Sequence, residues 1–301
     1  MSLQKVVIFG VGLIGGSFAL ALKQAGAVKQ VIGVGRRLTT LERAKELGII
    51  DVVCTSVQEA LQDADLVLIA APVAQTASIL ASIAPYLAAG TIVTDAGSTK
   101  GDVVAAARIV LGEKIAQFIP GHPIAGRESN GPDAAIADLY VGKKVVLAPM
   151  AENSAADIER VAQAWRLCGA LVHRLTAEEH DRVFAAVSHL PHLLAYALVD
   201  EIASKPHASL LFQYAASGFR DFTRIADSSP EMWRDIALAN QTALITELDA
   251  YIAHISSLRA SLAAGNAQQL EAIFARAQSA RLNWQRTIET AEQPNKDGGG
   301  E

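Results

Sequence analysis

The sequence predicts an α/β first half joined to an all-helical second half, and three observations carry that reading. Short apolar runs alternate with amphipathic stretches from Lys5 to about Arg174, the rhythm of βαβ units around a mainly parallel sheet. The first run, KVVIFG, leads straight into GVGLIG, which puts Gly10, Gly12 and Gly15 at a strand-to-helix junction. After Thr176 the strand signals stop, and apolar residues spaced by three and four take over. A chain of 301 residues exceeds one average domain. The expected division is 1–175 for the α/β domain, 176–290 for the helical domain, and 291–301 for a disordered tail.

Taken in order, KVVIFG, QVIGVG, DVVCT, DLVLIA, TIVTDAG, QFIPG, KVVLAP and ALVHRL read as strands. Helical patterns lie between several of them, as at Leu13–Ala25 and Ala155–Leu167. Two uncharged runs imitate membrane or export signals. Residues 6–22 follow Lys5 like a signal peptide, but their four glycines suit a nucleotide loop better than a greasy segment. Residues 66–94 are long enough to span a bilayer, yet Pro72, Pro85 and Gly90 cut them into strand, helix and strand. Parallel strands covered on both faces give such continuous apolar runs, so a soluble chain without a membrane partner is expected.

Thr176 with Glu179 three residues on is a capping-box signature, and it opens the helical half. The stretch PEMWRDIALANQTALITELDAYIAHISSLRASLAAG reads as one helical run, broken at Gly265 and Asn266. A last helix is expected from about Gln268 to Thr290, and PNKDGGGE beyond it lacks core-forming residues. An all-helical half needs its apolar face covered, which points to a homodimer.

Hydrophobic residues make up 51% and charged ones 19%, enough apolar surface for sizeable cores. A net charge of −5 with dispersed Lys and Arg argues against a nucleic-acid surface. Cys54 and Cys168 stand far apart with no CxxC or framework pattern, which fits a reducing cytoplasm.

In the glycine motif the first glycine allows the tight turn and the second lets backbone approach a pyrophosphate. The third permits close helix–strand packing, while helix N–H groups face the phosphates. The first domain is therefore expected to be Rossmann-type, with Gly10, Gly12, Leu13, Ile14 and Gly15 at the cofactor. An acidic residue about 20 positions on would bind the ribose of NAD. That place is Gly35, and Arg36 and Arg37 follow it. Two guanidiniums without a carboxylate suit the 2′-phosphate of NADP, with Thr39 and Thr40 as further donors and NAD as the secondary choice.

TDAGSTKGDV ends the fifth strand at the sheet edge where ligands bind in open α/β sheets. Ser98 is there a candidate either for catalysis or, with Thr99, for capping the helix after Lys100. His122 of IPGHPIAGRESNG opens onto the same edge, and imidazole is well suited to moving protons near neutrality. No metal is expected: His189 and His192 are the close histidine pair, but Pro191 lies between them and no HExxH or nearby Cys completes a site. In SGFRDFTRIADSSPEMWRDI, Arg220, Arg224 and Arg234 accompany Asp221, Asp227 and Asp235 among Phe219, Phe222 and Trp233. That mixture suits either a helix surface of weak ion pairs or a site for an anionic ring compound.

Together VVIFGVGLIGGSFALAL, DAGSTKG, GHPIAGRESNG, LYVGKKVVLAP, VSHLPH and GFRDFTRIADSSPEMWRDI resemble the prephenate/arogenate dehydrogenase family of tyrosine biosynthesis. The resemblance implies a Rossmann domain, an all-helical dimerisation domain and active sites in the cleft between them. It implies oxidation of a cyclohexadienol with loss of CO2, His122 taking the hydroxyl proton and Ser98 contacting both that histidine and the substrate. Arg224 would hold a substrate carboxylate, while His192, Ser188, His189, Glu128, Arg220 and Trp233 would line or gate the pocket. The resemblance implies arogenate, prephenate or both as substrate, with the arginines after the second strand leaning toward arogenate. Two other readings use the same halves. A β-hydroxyacid-type NADP dehydrogenase would need a helical lysine, and Val183–Glu201 contains none. A non-enzymatic NADP-sensing module would bind dinucleotide without turnover.

Overall fold

The structure, a computed structural model, describes residues 2–127 and 129–292, with side chains as far as 287. Six strands form a parallel sheet: β1 (Leu3–Phe9), β2 (Val28–Val34), β3 (Val52–Val53), β4 (Leu66–Ile69), β5 (Ile92–Asp95) and β6 (Phe118–Ile119). Their order is β3-β2-β1-β4-β5-β6, that of a doubly wound dinucleotide-binding sheet, with its crossover crevice between β1 and β4. Alternate residues of β1 feed two different cores. Val6 and Ile8 pack with Phe18, Leu22 and Trp165, whereas Val7 and Phe9 pack with Leu61, Leu80, Ile83 and Phe118. Each such buried side chain contributes about 1.5–3 kcal/mol. The apolar runs at 6–22 and 66–94 are thus β1 with the first helix, and β4, a helix and β5.

A second sheet of three strands follows: β7 (Gly121–Pro123), β8 (Lys144–Leu147) and β9 (Leu171–Arg174). Here the structure departs from the simple parallel reading. KVVLAP and ALVHRL do not extend the main sheet, and β7 carries no strand signature in the sequence. Pro120 has no N–H to continue the ladder with β5. The chain turns there, and Pro120 instead accepts a bond from Ala148 N (2.9 Å) while β7 runs antiparallel to β8 with His122 opposite Val146.

The α-helices of the first half are α1 (Leu13–Gln24), α2 (Leu38–Glu46), α3 (Val57–Leu61), α4 (Thr76–Ile83), α5 (Gly101–Leu111) and α6 (Ala155–Leu167). Then come α7 (Ala177–Phe184), α8 (Leu190–Ala203), α9 (Ala208–Gln213), α10 (Ser217–Thr223), α11 (Pro230–Ala239), α12 (Gln241–Ala263) and α13 (Ala267–Glu292). The capping box at Thr176 and Glu179 is formed in full. Between α7 and α8 lies a π-helical turn, Ala185–His189. Pro191 has no N–H for the carbonyl of residue 187 and its ring crowds that group, so a widened turn accommodates it. The stretch Ala177–Ala203 is long and apolar enough by composition to cross a bilayer, but its buried His180, Asp181 and His189 bond other parts of the chain.

The helical run read as continuous from Pro230 is interrupted at Asn240, whose side chain is engaged elsewhere. Gly265, at φ +62, breaks the chain before α13 where expected. That helix reaches Glu292, two residues past its expected end at Thr290; 293–301 lie outside the described residues. By packing, the chain falls into two compact units, Met1–Leu244 and Ile245–Glu301. This division comes later than the 175/176 boundary because α7 packs on α5, and α11 on the turn Val73–Gln75. In the second unit, Ile252, Ile255, Leu262, Phe274, Leu282 and Trp284 are exposed.

Candidate active site

At the carboxyl end of β1, backbone and empty space make the site. Gly10 adopts φ +94, and a Cβ there would lie 2.5 Å from the Ala70 carbonyl oxygen. A Cβ on Gly15 would collide with the Gly10 carbonyl and Ile8, while one on Gly12 would meet nothing within 4 Å. The α1 N-terminus has no side-chain cap and no acidic residue in its first turn. Its first N–H groups are therefore left without a side-chain acceptor, and its dipole without a countercharge in the first turn, as suits a pyrophosphate. Leu13 is buried in the core, so only its backbone serves such a ligand, and the half-buried Ile14 gives its carbonyl to the Tyr140 hydroxyl (2.6 Å). Gly35, Arg36 and Arg37 are exposed just beyond β2.

At the end of β5, side chains do the work. Asp95 is buried and accepts from Gly97 N (2.8 Å) and Gly121 N (3.0 Å), as well as from the buried Lys100 ammonium. One carboxylate thus gathers the Ser98 loop and the strand bearing His122. Ser98 and Thr99 do not cap α5. The first N–H groups of that helix, on Lys100 and Gly101, donate to Asp181 of α7 at 2.8 and 2.7 Å. His122 Nδ1 lies 2.8 Å from His180 Nε2, and His180 Nδ1 lies 2.8 Å from Asp181 Oδ1. Phe184 packs edge-on against His122. Burial holds His122 well below the ordinary histidine value, and His180, Lys100 and His189 disfavour its positive charge further. His180 is lowered by burial in spite of Asp181. Burial opposes the charge on Asp181, but hydrogen bonds from His180, Gly101 and Lys100 outweigh it and keep its carboxyl below the usual range.

The π turn and α8 hold the other histidines. His189 is buried, accepts from Asn240 Nδ2 (3.1 Å) and donates toward the Ser98 backbone; burial lowers it to about 4. Asn240 also donates to the Asp181 carbonyl (2.8 Å), which explains the helix break there. His192 bonds the Ser188 carbonyl (2.8 Å) and stacks on Trp233 with ring centroids 3.5 Å apart. His189 and His192 therefore serve different partners. Arg220 and Arg224 are exposed in the single chain and line a cavity of about 360 Å³ with Phe219, Thr223 and Asp227. Glu128 lies outside the described residues.

Ser98, His122 and His189 are thus brought together, with His192 and Trp233 paired nearby on the helical segment. Sequence reasoning passed over Asp95, Lys100, His180, Asp181 and Asn240. The signals were an Asp and a Lys inside TDAGSTKG and a His-Asp pair one turn into a capped helix.

A family model described as prephenate dehydrogenase, nucleotide-binding domain, matches residues 18–174, and one described as prephenate dehydrogenase, dimerization domain, matches 176–276. The chain belongs to the prephenate dehydrogenase family. It is 37% identical over 281 residues to the cyclohexadienyl dehydrogenase of Zymomonas mobilis, covering 93% of this chain and 95% of that one. Among solved structures, prephenate dehydrogenase from Aquifex aeolicus, in complex with hydroxyphenyl propionate and NAD+, superposes with a TM-score of 0.88 at 35% identity. That match covers 94% of this chain and 99% of the other. The arogenate dehydrogenase of Synechocystis gives a TM-score of 0.80 at 28% identity, covering 93% and 100%. This prephenate dehydrogenase family member is an oxidoreductase that uses a nicotinamide dinucleotide, and the open, uncapped glycine loop fits that cofactor's phosphates.

Proposed function

We propose that the chain catalyses oxidative decarboxylation of a cyclohexadienol, arogenate and/or prephenate, to tyrosine or 4-hydroxyphenylpyruvate. The observation that carries this is the pairing, through Asp95, of the Ser98 loop with the His122 strand at the carboxyl edge of the dinucleotide-binding sheet. When bound, the nicotinamide supplies the hydride acceptor. His122 accepts the ring hydroxyl proton as the carbinol C–H pair leaves as hydride, and the ring carbon becomes a ketone. The bond to the ring carboxylate then breaks, CO2 departs, and its electron pair completes the aromatic ring as a phenolate, which regains the proton from His122. Aromatisation makes the sequence downhill, so the protein chiefly aligns the reactants and holds the proton.

Ser98 orients the substrate hydroxyl against His122. Arg224, supported by Arg220 in the same cavity, pairs with a substrate carboxylate. The stacked His192 and Trp233 give the ring a flat wall, and Ser188 fixes His192 through its carbonyl. His189 acts from behind, on the Ser98 backbone.

NADP is favoured over NAD. A Cβ at Gly35 would make only ordinary contacts with Leu41, at 3.6–3.9 Å. Packing does not forbid an acidic residue there, so its absence beside Arg36 and Arg37 supports a 2′-phosphate. The exposed apolar residues of α12 and α13 support a homodimer, and a cytoplasmic location fits the free cysteines.

The test is steady-state turnover with arogenate or prephenate against NADP+ or NAD+, following dinucleotide reduction and CO2 together. Equal amounts of both products support the proposal, with arogenate and NADP+ the best pair. Dinucleotide binding without turnover of either compound would refute it.

A further inference from the structure

The imidazole of His122 has two nitrogens, and only one arrangement of its proton leaves a base for the substrate. We infer that Asp181 and His180 are positioning residues that hold His122 in its Nδ1–H tautomer, so that its Nε2 lone pair stands ready for the proton. This deepens the proposed function and rests on His122 being the proton acceptor.

Counting donors fixes the arrangement. Asp181 Oδ1 receives Lys100 N and lies against His180 Nδ1, while Oδ2 receives Gly101 N. The two backbone groups can only donate, and a carboxylate surrounded by donors stays ionised and accepts. His180 must then donate from Nδ1, which leaves its Nε2 as an acceptor if the ring is neutral. His180 Nε2 faces His122 Nδ1 at 2.8 Å. His122 must therefore carry its hydrogen on Nδ1 and leave Nε2 bare. Neutrality of both rings is consistent with their burial and with the cations and rings around them: Lys100 from the β5 loop and His189 from the π turn disfavour charge, while Asp95 and Asp181 hold the countercharges. Once His122 takes the substrate proton on Nε2, its Nδ1–H still donates to His180, and the anionic Asp181 lies one ring behind the new charge. A carboxylate that sets a catalytic imidazole's tautomer is familiar from hydrolases, where its amide replacement slows turnover about ten-thousandfold. Here a second imidazole stands between the carboxylate and the base.

The test uses the full-length protein and ¹⁵N NMR of its histidines, with His122→Gln to assign the His122 signals. In the wild type the expected result is a protonated, pyrrole-type Nδ1 and a bare, pyridine-type Nε2 on His122. In Asp181→Asn an amide N–H can face His180 and invert both rings. The pattern at His122 should reverse and kcat should fall at least a hundredfold, with dinucleotide Kd unchanged. His180→Gln keeps an oxygen acceptor near the former Nε2 and should retain the Nδ1–H pattern, with kcat within about tenfold of wild type; His180→Leu should lose both. A wild-type His122 protonated on Nε2, or a pattern that Asp181→Asn leaves unmoved, overturns the inference. Because the tautomer is read in resting enzyme, that failure is separate from a failure of His122 as base, which the turnover of a His122 variant reads.

Discussion

The two ends of the proposed site are built from opposite materials. At the glycine loop, side chains are removed so that backbone N–H groups meet a ligand across open space, and Gly12 has no neighbour for a Cβ within 4 Å. At the β5 edge, ionisable side chains, all buried except the half-buried His122, are satisfied by one another: Asp95 and Lys100, Asp181 and the α5 N-terminus, His122 and His180. The first end tolerates no added atom at Gly10 or Gly15, whereas the second tolerates no missing proton or charge. Binding phosphates needs geometry that any sequence with glycines at the right spacing can supply. Moving a proton needs a fixed number of donors and acceptors.

That contrast can be broken at several points, ranked by expected effect on folding free energy. Lys100→Met leaves the Asp95 charge buried without its ammonium partner, and such losses cost about 3–5 kcal/mol. Chemical denaturation should show it, and an unchanged midpoint would mean that Asp95 is solvated. Next comes pH. His189 sits at about 4 in the folded chain because of burial, against about 6.5 when unfolded. The unfolded chain therefore binds a proton that the folded one refuses between those values. This contribution to stability is intact above about pH 6.5 and is lost as pH falls toward 4, by about 3 kcal/mol at one pKa unit per 1.36 kcal/mol. His122 and His180 push the same way. Melting temperatures should drop across that range, and less steeply in His189→Gln, where the contributions of His122 and His180 remain.

Gly15→Ala forces a methyl against the Gly10 carbonyl and Ile8, costing about 1–3 kcal/mol. Gly12→Ala should leave stability within about 0.5 kcal/mol while weakening dinucleotide binding, since its methyl occupies the ligand's space. Equal melting temperatures for the two variants would erase the distinction drawn here. Smallest for folding, and visible only in binding, are Arg36→Ala and Arg37→Ala. Each exposed guanidinium should be worth about tenfold in NADP affinity with NAD affinity unchanged, measurable by titration calorimetry.

The glycine loop was legible because its residues lie within six positions and each has a local geometric reason. His122 and Ser98 were legible because each follows a strand at the ligand edge. Asp95, Lys100, His180, Asp181 and Asn240 were not, since they acquire meaning only when β5, β7, α7 and α11 meet. A buried Lys beside a Ser-Thr pair looks like an ordinary helix start, and the His-Asp pair of α7 looks like a charged first turn. The second sheet was missed for a similar reason: three residues, GHP, carry too little pattern to be recognised as a strand. The break at Asn240 was hidden because asparagine is unremarkable within a helical period until its amide is needed by a carbonyl and an imidazole from another segment.

Proton acceptance by His122 is tested most directly by turnover of His122→Asn at saturating dinucleotide and substrate. The expected result is a kcat lower by about a hundredfold to ten-thousandfold, with dinucleotide Kd as in the wild type. Near-normal kcat in that variant would contradict it.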